Sequence, residues 1–429
     1  MNILFVHNHF PGHYQHVAPA LAADPANRVV FATSGTGTPM PGVEVRHFGP
    51  HRRAGEGTHP YVRPFEDAVL HGQAVYRLCR VLRAEGFVPD VVCAHAGFGP
   101  GLYVKEAFPD TPLLSYFEWF YRGNGADADF LDGPLHADDA CRIRSMNAAI
   151  LLELAACDWG VCPTTFQKSG FPATFQDKMT LLHDGIDTDA FAPAPGTPMM
   201  LPNLDLSHAA EVVTYATRGM EPYRGFPQFM RAAALLLERR PGLHVVVGGS
   251  DEVAYSARRQ DGRSYKQAML AELAGRDLSR LHFAGPLAGQ DWRRLLQATT
   301  VHAYLTVPFV LSWSLLEAMA SGCALVASDT APVREVVTHG REGLLADFHS
   351  PEDIAAKIEC ALDDQALRSA MGAAARARVR INYRLDELLP RHLRLIRNLA
   401  ESNPRRSVED EFSKDEIEET TNKLIVLSA

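Results

Sequence analysis

Short apolar runs alternate along this chain with longer segments whose apolar positions recur at helical spacing. In the first half the runs are NILFV (2–6), RVVFATS (28–34), VEVRHF (43–48), DVVCAH (90–95), PLLSYF (112–117) and WGVCPT (159–164). Runs of this length with near-continuous apolar character predict strands covered on both faces. Helical spacing fills 13–23, 65–85 and 138–156, the last opening on two aspartates that suit a helix start. Periodicity then stops. The stretch FAPAPGTPMMLPN (191–203) carries four prolines and a glycine, which restrict their neighbours and predict a linker.

A second alternating series follows. Its predicted strands are EVVTYAT (211–217), LHVVVGG (243–249), LHFAG (281–285), VHAYLT (301–306), ALVASD (324–329) and GLLADF (343–348). Predicted helices occupy 226–239, 264–275, 290–298, 314–321 and 351–363. Two βα series separated by a linker predict an α/β protein of two doubly wound, Rossmann-like domains facing a central cleft. The expected divisions are 1–195 and 205–384. At 385–400 an amphipathic helix is expected to kink or restart at Pro390. The segment 403–429 reads as an acidic, mobile tail, since residues 407–419 hold seven acids against one lysine.

Composition narrows the function classes. With 429 residues, 46% of them hydrophobic, the chain is long enough for two cores. A formal net charge of −9 lacks the basic surplus of a nucleic-acid partner. The N-terminal MNILFV has no cationic lead and too short an apolar run for a signal peptide, and no membrane span is expected. The expectation is a cytoplasmic protein for which peripheral membrane contact and oligomeric state stay open. Seven cysteines at wide spacings, with no Cys-x-x-Cys, read as inert thiols, not as a disulfide or zinc framework.

Several strand exits carry candidate chemistry. After the first strand comes HNHFPGHYQ, where Gly12 permits close backbone approach to a ligand or forms an ordinary turn. After 211–217 comes RGMEPYRG, in which Arg218 and Arg224 can grip a diphosphate or stand as solvated surface residues. Gly248 and Gly249 end another strand and suit a ligand backbone contact or a tight turn equally. The segment TVPFVLSWSLLEAMASG opens a helix on Ser312 and Ser314, with Glu317 one turn in. Backbone amides at such a start favour anions, and the carboxylate can accept from ribose hydroxyls.

These segments resemble the signature of glycosyltransferase family 4, retaining enzymes of the GT-B fold. ATRGMEPYRGF is similar to the family's Gly-Arg…Lys-Gly loop, LLEAMASGCALVASD to its donor helix and following strand, and HDGIDTDAF (183–191) to its crossover motif. The resemblance runs to about residue 400. It implies a retaining, metal-independent transfer of sugar from a nucleoside-diphosphate sugar to a hydroxyl acceptor, with UDP the first nucleotide to test and GDP the second. It implies no separate cofactor and no metal site; Asp127-Ala128-Asp129 is read as lying in the wrong domain for the donor. It implies that a helix about 385–402 packs back on the first domain. By position, Arg218 and Arg224 bind the diphosphate, with Arg224 in place of the usual lysine. Glu317 binds the ribose, the amides of Val310, Leu311 and Ser312 meet the diphosphate and sugar, and Gly12 and Gly248 approach the donor. Two departures stand out. Phe309 replaces the first acid of the Glu-x7-Glu motif, and Glu118 stands where the family has a histidine, with His95 as the neighbouring polar candidate. The catalytic set is therefore expected to be Glu118, His95, Arg218 and Arg224. The same features leave open a sugar-nucleotide-binding scaffold, a GT-B epimerase or a phosphorylase, the last disfavoured because 205–384 offers only Lys266 and Lys357.

Overall fold

The structure, a computed structural model, describes residues 1–131, 133 and 135–402. The acidic tail expected at 403–429 lies outside the described residues. The chain divides into two units. Unit 1 holds Met1–Gly123, Leu135–Asp184 and the chain from Glu387; unit 2 holds Asn124–Pro134 and Gly185–Asp386.

In unit 1 seven parallel strands form one sheet: β1 (Asn2–His7), β2 (Arg28–Thr33), β3 (Val43–His47), β4 (Val91–His95), β5 (Leu113–Tyr116), β6 (Trp159–Cys162) and β7 (Met179–Leu181). Their order is β3-β2-β1-β4-β5-β6-β7. Strand side chains alternate between faces, so each apolar run feeds two cores. Leu4, Val6, Val30, Ala32, Val92 and Ala94 pack beneath helix Arg63–Ala84 with Val75, Cys79 and Leu82. Ile3, Phe5, Val29, Phe31, Val91 and Cys93 pack on the other face with Leu388 and Ile396 of helix Leu385–Glu401. Each fully buried aliphatic side chain contributes about 1.5–3 kcal/mol of transfer free energy.

Unit 2 repeats the plan with β10 (Glu211–Gly219), β11 (Leu243–Ser250), β12 (Leu281–Gly285), β13 (Val301–Tyr304), β14 (Leu325–Ser328) and β15 (Leu344–Ala346), in the order β12-β11-β10-β13-β14-β15. Its main core joins Val213, Tyr215, Val245 and Val247 to Phe226, Phe229, Met230 and Leu237 of helix Phe226–Arg239. In both sheets the order reverses beside the first strand, between β1 and β4 and between β10 and β13.

Several expectations need correction. The chain passes between units at Asp184/Gly185, ahead of the expected boundary at 195, and returns at Asp386/Glu387. The two passages meet in unit 2, where Ile186 and Arg384 form a parallel bridge. Gly185 has φ +92°, and a Cβ there would stand 2.8 Å from the Leu385 Cα, so this crossing admits glycine alone. The proline-rich 191–203 is not a bare linker: it leads into a hairpin of β8 (Met200–Leu201) and β9 (Leu204–Asp205). The predicted helix 138–156 is two helices, Ala137–Met146 and Ala148–Ala156. The break falls at Asn147, whose side chain bonds the Tyr121 amide and carbonyl, both at 2.8 Å. Helix 13–23 shortens to Val17–Ala22 after a 3-10 turn at Gly12–Tyr14. Pro390 sits inside a continuous helix and does not restart it.

No described helix is long and apolar enough to cross a membrane. All seven cysteines are free, with Cys141 and Cys360 exposed and the other five buried.

Candidate functional site

The reversal point of an open parallel sheet leaves a crevice at the strands' C-terminal ends, where ligands of this architecture bind. Each unit fills its own reversal point with a cluster of polar side chains.

In unit 2 the cluster is built around Arg224. The chain leaves β10 through Glu221, makes a 3-10 turn at Pro222–Arg224, and enters helix Phe226–Arg239 through Gly225. Gly225 has φ +67°, and a Cβ there would lie 2.6 Å from the Leu305 Cβ, so the turn that buries Arg224 requires glycine. Arg224 is only 7% exposed. Its Nη1 donates to Thr306 Oγ1 at 2.8 Å and to the Val310 carbonyl at 3.2 Å. Its guanidinium carbon lies 5.1 Å from the Tyr255 ring centre and 5.9 Å from that of Phe309. Among the described residues no carboxylate forms an ion pair with it. The nearby Glu221 carboxylate acts on it through space, and a buried cation without a paired anion is costly.

The surrounding loops converge on that cation. Glu221 is fully buried and accepts the amides of Ala254, Tyr255 and Ser256 at 2.8–2.9 Å, which sets Tyr255 over Arg224. The helix Trp313–Ala320 starts at Ser312, whose hydroxyl accepts the Ser314 amide at 3.3 Å. Before it, the amides of Val310 and Leu311 donate to no acceptor among the described residues. Leu311 itself is buried in the core, and the Ser312 amide donates to Tyr304 Oη at 3.1 Å. Glu317 lies beyond the first turn of this helix, where a dipole role fades. Burial raises its carboxyl above the usual value, partly offset by Trp292 Nε1, which donates to Oε2 at 2.8 Å.

Arg218 does not follow the strand but lies within β10, at a register irregularity between Ala216 and Gly219. It is exposed and has no ion pair or side-chain hydrogen bond among the described residues. Gly248 and Gly249 have packing reasons. A Cβ at 248 would sit 3.1 Å from Leu287 and 3.2 Å from Ala216, and one at 249 only 2.3 Å from the Thr217 carbonyl. The Asp127–Asp129 loop belongs to unit 2, the opposite of its expected domain. Asp127 is buried and accepts Tyr223 Oη at 2.9 Å, and Phe130 packs on Phe348 and His349. Phe309 packs edge-on to Tyr223 and Tyr255, which makes the side of the cluster where an acid was expected aromatic.

In unit 1 the cluster is His7, His13, His95 and Glu118. His7 and His95 end β1 and β4, the two strands at the reversal point. His7 Nε2 lies 3.3 Å from His13 Nδ1, and His7 Nδ1 accepts the His9 amide at 2.9 Å. His13 Nε2 and His95 Nε2 stand 3.8 and 3.5 Å from the two oxygens of Glu118. His95 is 3% exposed, and its Nε2 makes no hydrogen bond. Burial drives His7 well below the ordinary imidazole value and takes His13 down to about 4 despite the nearby Glu118. Gly12 has a local reason: φ is +54°, and a Cβ would stand 2.5 Å from His7 Nε2. Sequence reading picked out Gly12, with His9 and His13 only as its neighbours, and His95 and Glu118; it missed His7, and in unit 2 missed Glu221, Tyr255, Thr306 and Trp292.

The ring nitrogens of His7, His13 and His95 lie within 4.8 Å of one another, a spacing that invites a metal reading. The geometry does not fit one. The His13 and His95 rings are stacked 4.9 Å apart and only 14° from parallel, so their in-plane lone pairs run side by side instead of converging. A neutral His7 that accepts an amide at Nδ1 carries its proton on Nε2 and has no lone pair there to give.

Two Rossmann-like units of this strand order are the architecture of the GT-B glycosyltransferase fold. Residues 25–191 match the glycosyl transferase family 4 group and residues 207–378 match glycosyl transferases group 1. This chain belongs to the family 4 group of glycosyltransferases. It is 29% identical over 207 residues to a D-inositol 3-phosphate glycosyltransferase of Streptomyces avermitilis, covering 46% of this chain and 42% of that one. A protein of the same name from Nocardioides sp. is 27% identical over 364 residues, 79% of this chain and 73% of that one. The chain thus spans less than half the length of the Streptomyces relative it matches. Two solved structures share the fold: sucrose-phosphate synthase of Thermosynechococcus elongatus (TM-score 0.69, 16% identity, 94% of this chain and all of that one) and Anabaena HepE in complex with UDP and glucose (TM-score 0.67, 17% identity, 93% of this chain and all of that one).

Proposed function

We propose that this protein is a retaining glycosyltransferase that moves a sugar from a nucleoside-diphosphate sugar to a hydroxyl acceptor without a bound metal. One observation carries the reading: Arg224 is a buried guanidinium at the unit 2 reversal point that forms no ion pair among the described residues. Departure of a nucleoside diphosphate develops negative charge, and a fixed cation beside open amides stabilises that charge without reorganisation. The amides of Val310 and Leu311, ahead of the Trp313–Ala320 helix, add their partial positive charge to the same region. Glu317, held by Trp292, serves as acceptor for the ribose hydroxyls. Exposed Arg218 supplies a second cation.

The donor is the only small molecule this reading requires besides the acceptor. UDP is the first nucleotide to test, in keeping with the UDP bound to HepE, and GDP is the second. The names of the curated relatives put inositol 3-phosphate among the acceptors to try. Purified protein should be incubated with UDP-, GDP- and ADP-sugars and an acceptor panel, and the product anomer read by NMR. Transfer with retained anomeric configuration is expected in the wild type, with turnover lost in Arg218→Ala and Arg224→Ala while both remain folded. Near-wild-type turnover in both variants overturns the diphosphate assignment, and an inverted product overturns retention.

A further inference from the structure

The unit 1 cluster contains a chain of hydrogen bonds whose direction is fixed at one end. The His9 backbone amide can only donate, so His7 Nδ1 accepts. A neutral His7 then carries its proton on Nε2, and at 3.3 Å that N–H points at His13 Nδ1. His13 Nδ1 accepts in turn, which places the His13 proton on Nε2, the nitrogen facing Glu118 Oε1 at 3.8 Å. A single backbone amide therefore sets the tautomers of buried His7 and half-buried His13 and aims an N–H at a carboxylate. His13 is held in this orientation by stacking on Tyr116, with ring centres 4.3 Å apart. His95, which stacks on both His13 and Tyr116, brings its otherwise unbonded Nε2 to 3.5 Å from Glu118 Oε2.

We propose that His7 and His13 are positioning residues: a tautomer-locked wire that keeps Glu118 charged and aligned as a hydrogen-bond acceptor for hydroxyls of a sugar or other polyol substrate bound to unit 1. The proposal rests on the glycosyltransferase reading for the nature of the substrate, but the wire itself does not. The groups facing Glu118 and His13 are His7 and His9 from the β1 exit, His95 from β4, Tyr116 from β5, and His183 and Asp184 after β7. Burial lowers His7, His13 and His183, the last two to about 4 and about 3, and Asp184 is another acid of this group.

Two measurements test it. In full-length protein with nitrogen-15-labelled histidine, the imidazole shifts report which ring nitrogen bears hydrogen. The wire requires protonated Nε2 and bare Nδ1 on both His7 and His13, unchanged from pH 8 down to pH 5. A protonated Nδ1 on either ring overturns it, as does a stoichiometric response of His7, His13 and His95 to added zinc, which would make the cluster a metal site. The second measurement is the pH profile of transfer in His13→Phe, which keeps a ring against Tyr116 but removes the N–H. An N–H dipole aimed at the charged form of a carboxyl favours that form, so the acid limb should move up by about one pH unit. His7→Phe should move it in the same direction. An acid limb that stays in place in His13→Phe, while transfer continues, overturns the positioning role and leaves the transferase reading intact. If the wild type transfers nothing, that reading fails while the nitrogen shifts still decide the wire.

Discussion

At the reversal point of unit 1, strands β1 and β4 end on the buried histidines His7 and His95, beside one carboxylate. At the reversal point of unit 2, strands β10 and β13 lead into loops that bury one guanidinium and form no ion pair with it among the described residues. The two sheets share a strand order, so topology is not what separates them. The difference lies in the loops. In unit 1 Gly12 lets the chain close over the His7 ring, and in unit 2 Gly225 lets it close over Arg224. One architecture thus offers two crevices of opposite electrostatic character, and the fold alone does not specify which ligand group each receives.

Removing the unit 2 cation should have the largest effect. Arg224→Ala is expected to lower kcat/KM by about 100-fold or more, with a fall in Tm from the lost contacts to Thr306, Val310, Tyr255 and Phe309 that leaves the protein folded. A thermal melt beside the steady-state assay separates that result from misfolding. Glu317→Gln comes next. It keeps the shape and the Trp292 contact but loses a charged acceptor, so KM for the donor should rise about tenfold with a smaller change in kcat. An unchanged KM would remove Glu317 from the ribose.

Unit 1 allows a test by pH. Glu153 is fully buried, both of its oxygens accept glycine amides (Gly97 and Gly101), and burial raises its carboxyl to about 8. The unfolded chain binds fewer protons than the native one between the ordinary carboxyl value and pH 8, so stability should fall as pH rises through that window and level off above it. The slope is on the order of 1 kcal/mol per pH unit. Glu153→Gln mimics the protonated acid and should flatten the slope in urea melts at pH 6 and pH 9; an equal slope in both proteins would contradict the assignment. The smallest effect is local to unit 2. Ser312→Ala removes the helix cap and should cost about 1 kcal/mol, read in the same melts.

Much of the fold was legible because buried parallel strands are near-continuous apolar runs, and β1, β2, β4 and β11 announce themselves that way. What escaped the sequence was decided by partners far along the chain. The helix break at Asn147 depends on Tyr121, and periodicity runs through it unbroken. Strand β7 (Met179–Leu181) is three residues at a sheet edge, too short for a pattern. The Asp127 loop joins unit 2 through Tyr223 and Phe348, contacts its own polar composition hides. In the site, Arg224 was legible because a glycine-proline loop at a strand exit frames it. Glu221, which holds the loop over Arg224, looked like a turn residue until the three amides it gathers were seen. His7 and His13 act only through residues 95 and 118, a juxtaposition that no local pattern carries.

The most direct test of the contrast between the two crevices is calorimetric titration of UDP into wild-type protein and into Arg224→Ala. The account predicts a saturable isotherm for the wild type and at least a tenfold weaker one for the variant. Equal affinity in the two proteins would show that the buried guanidinium of unit 2 is not the anion site.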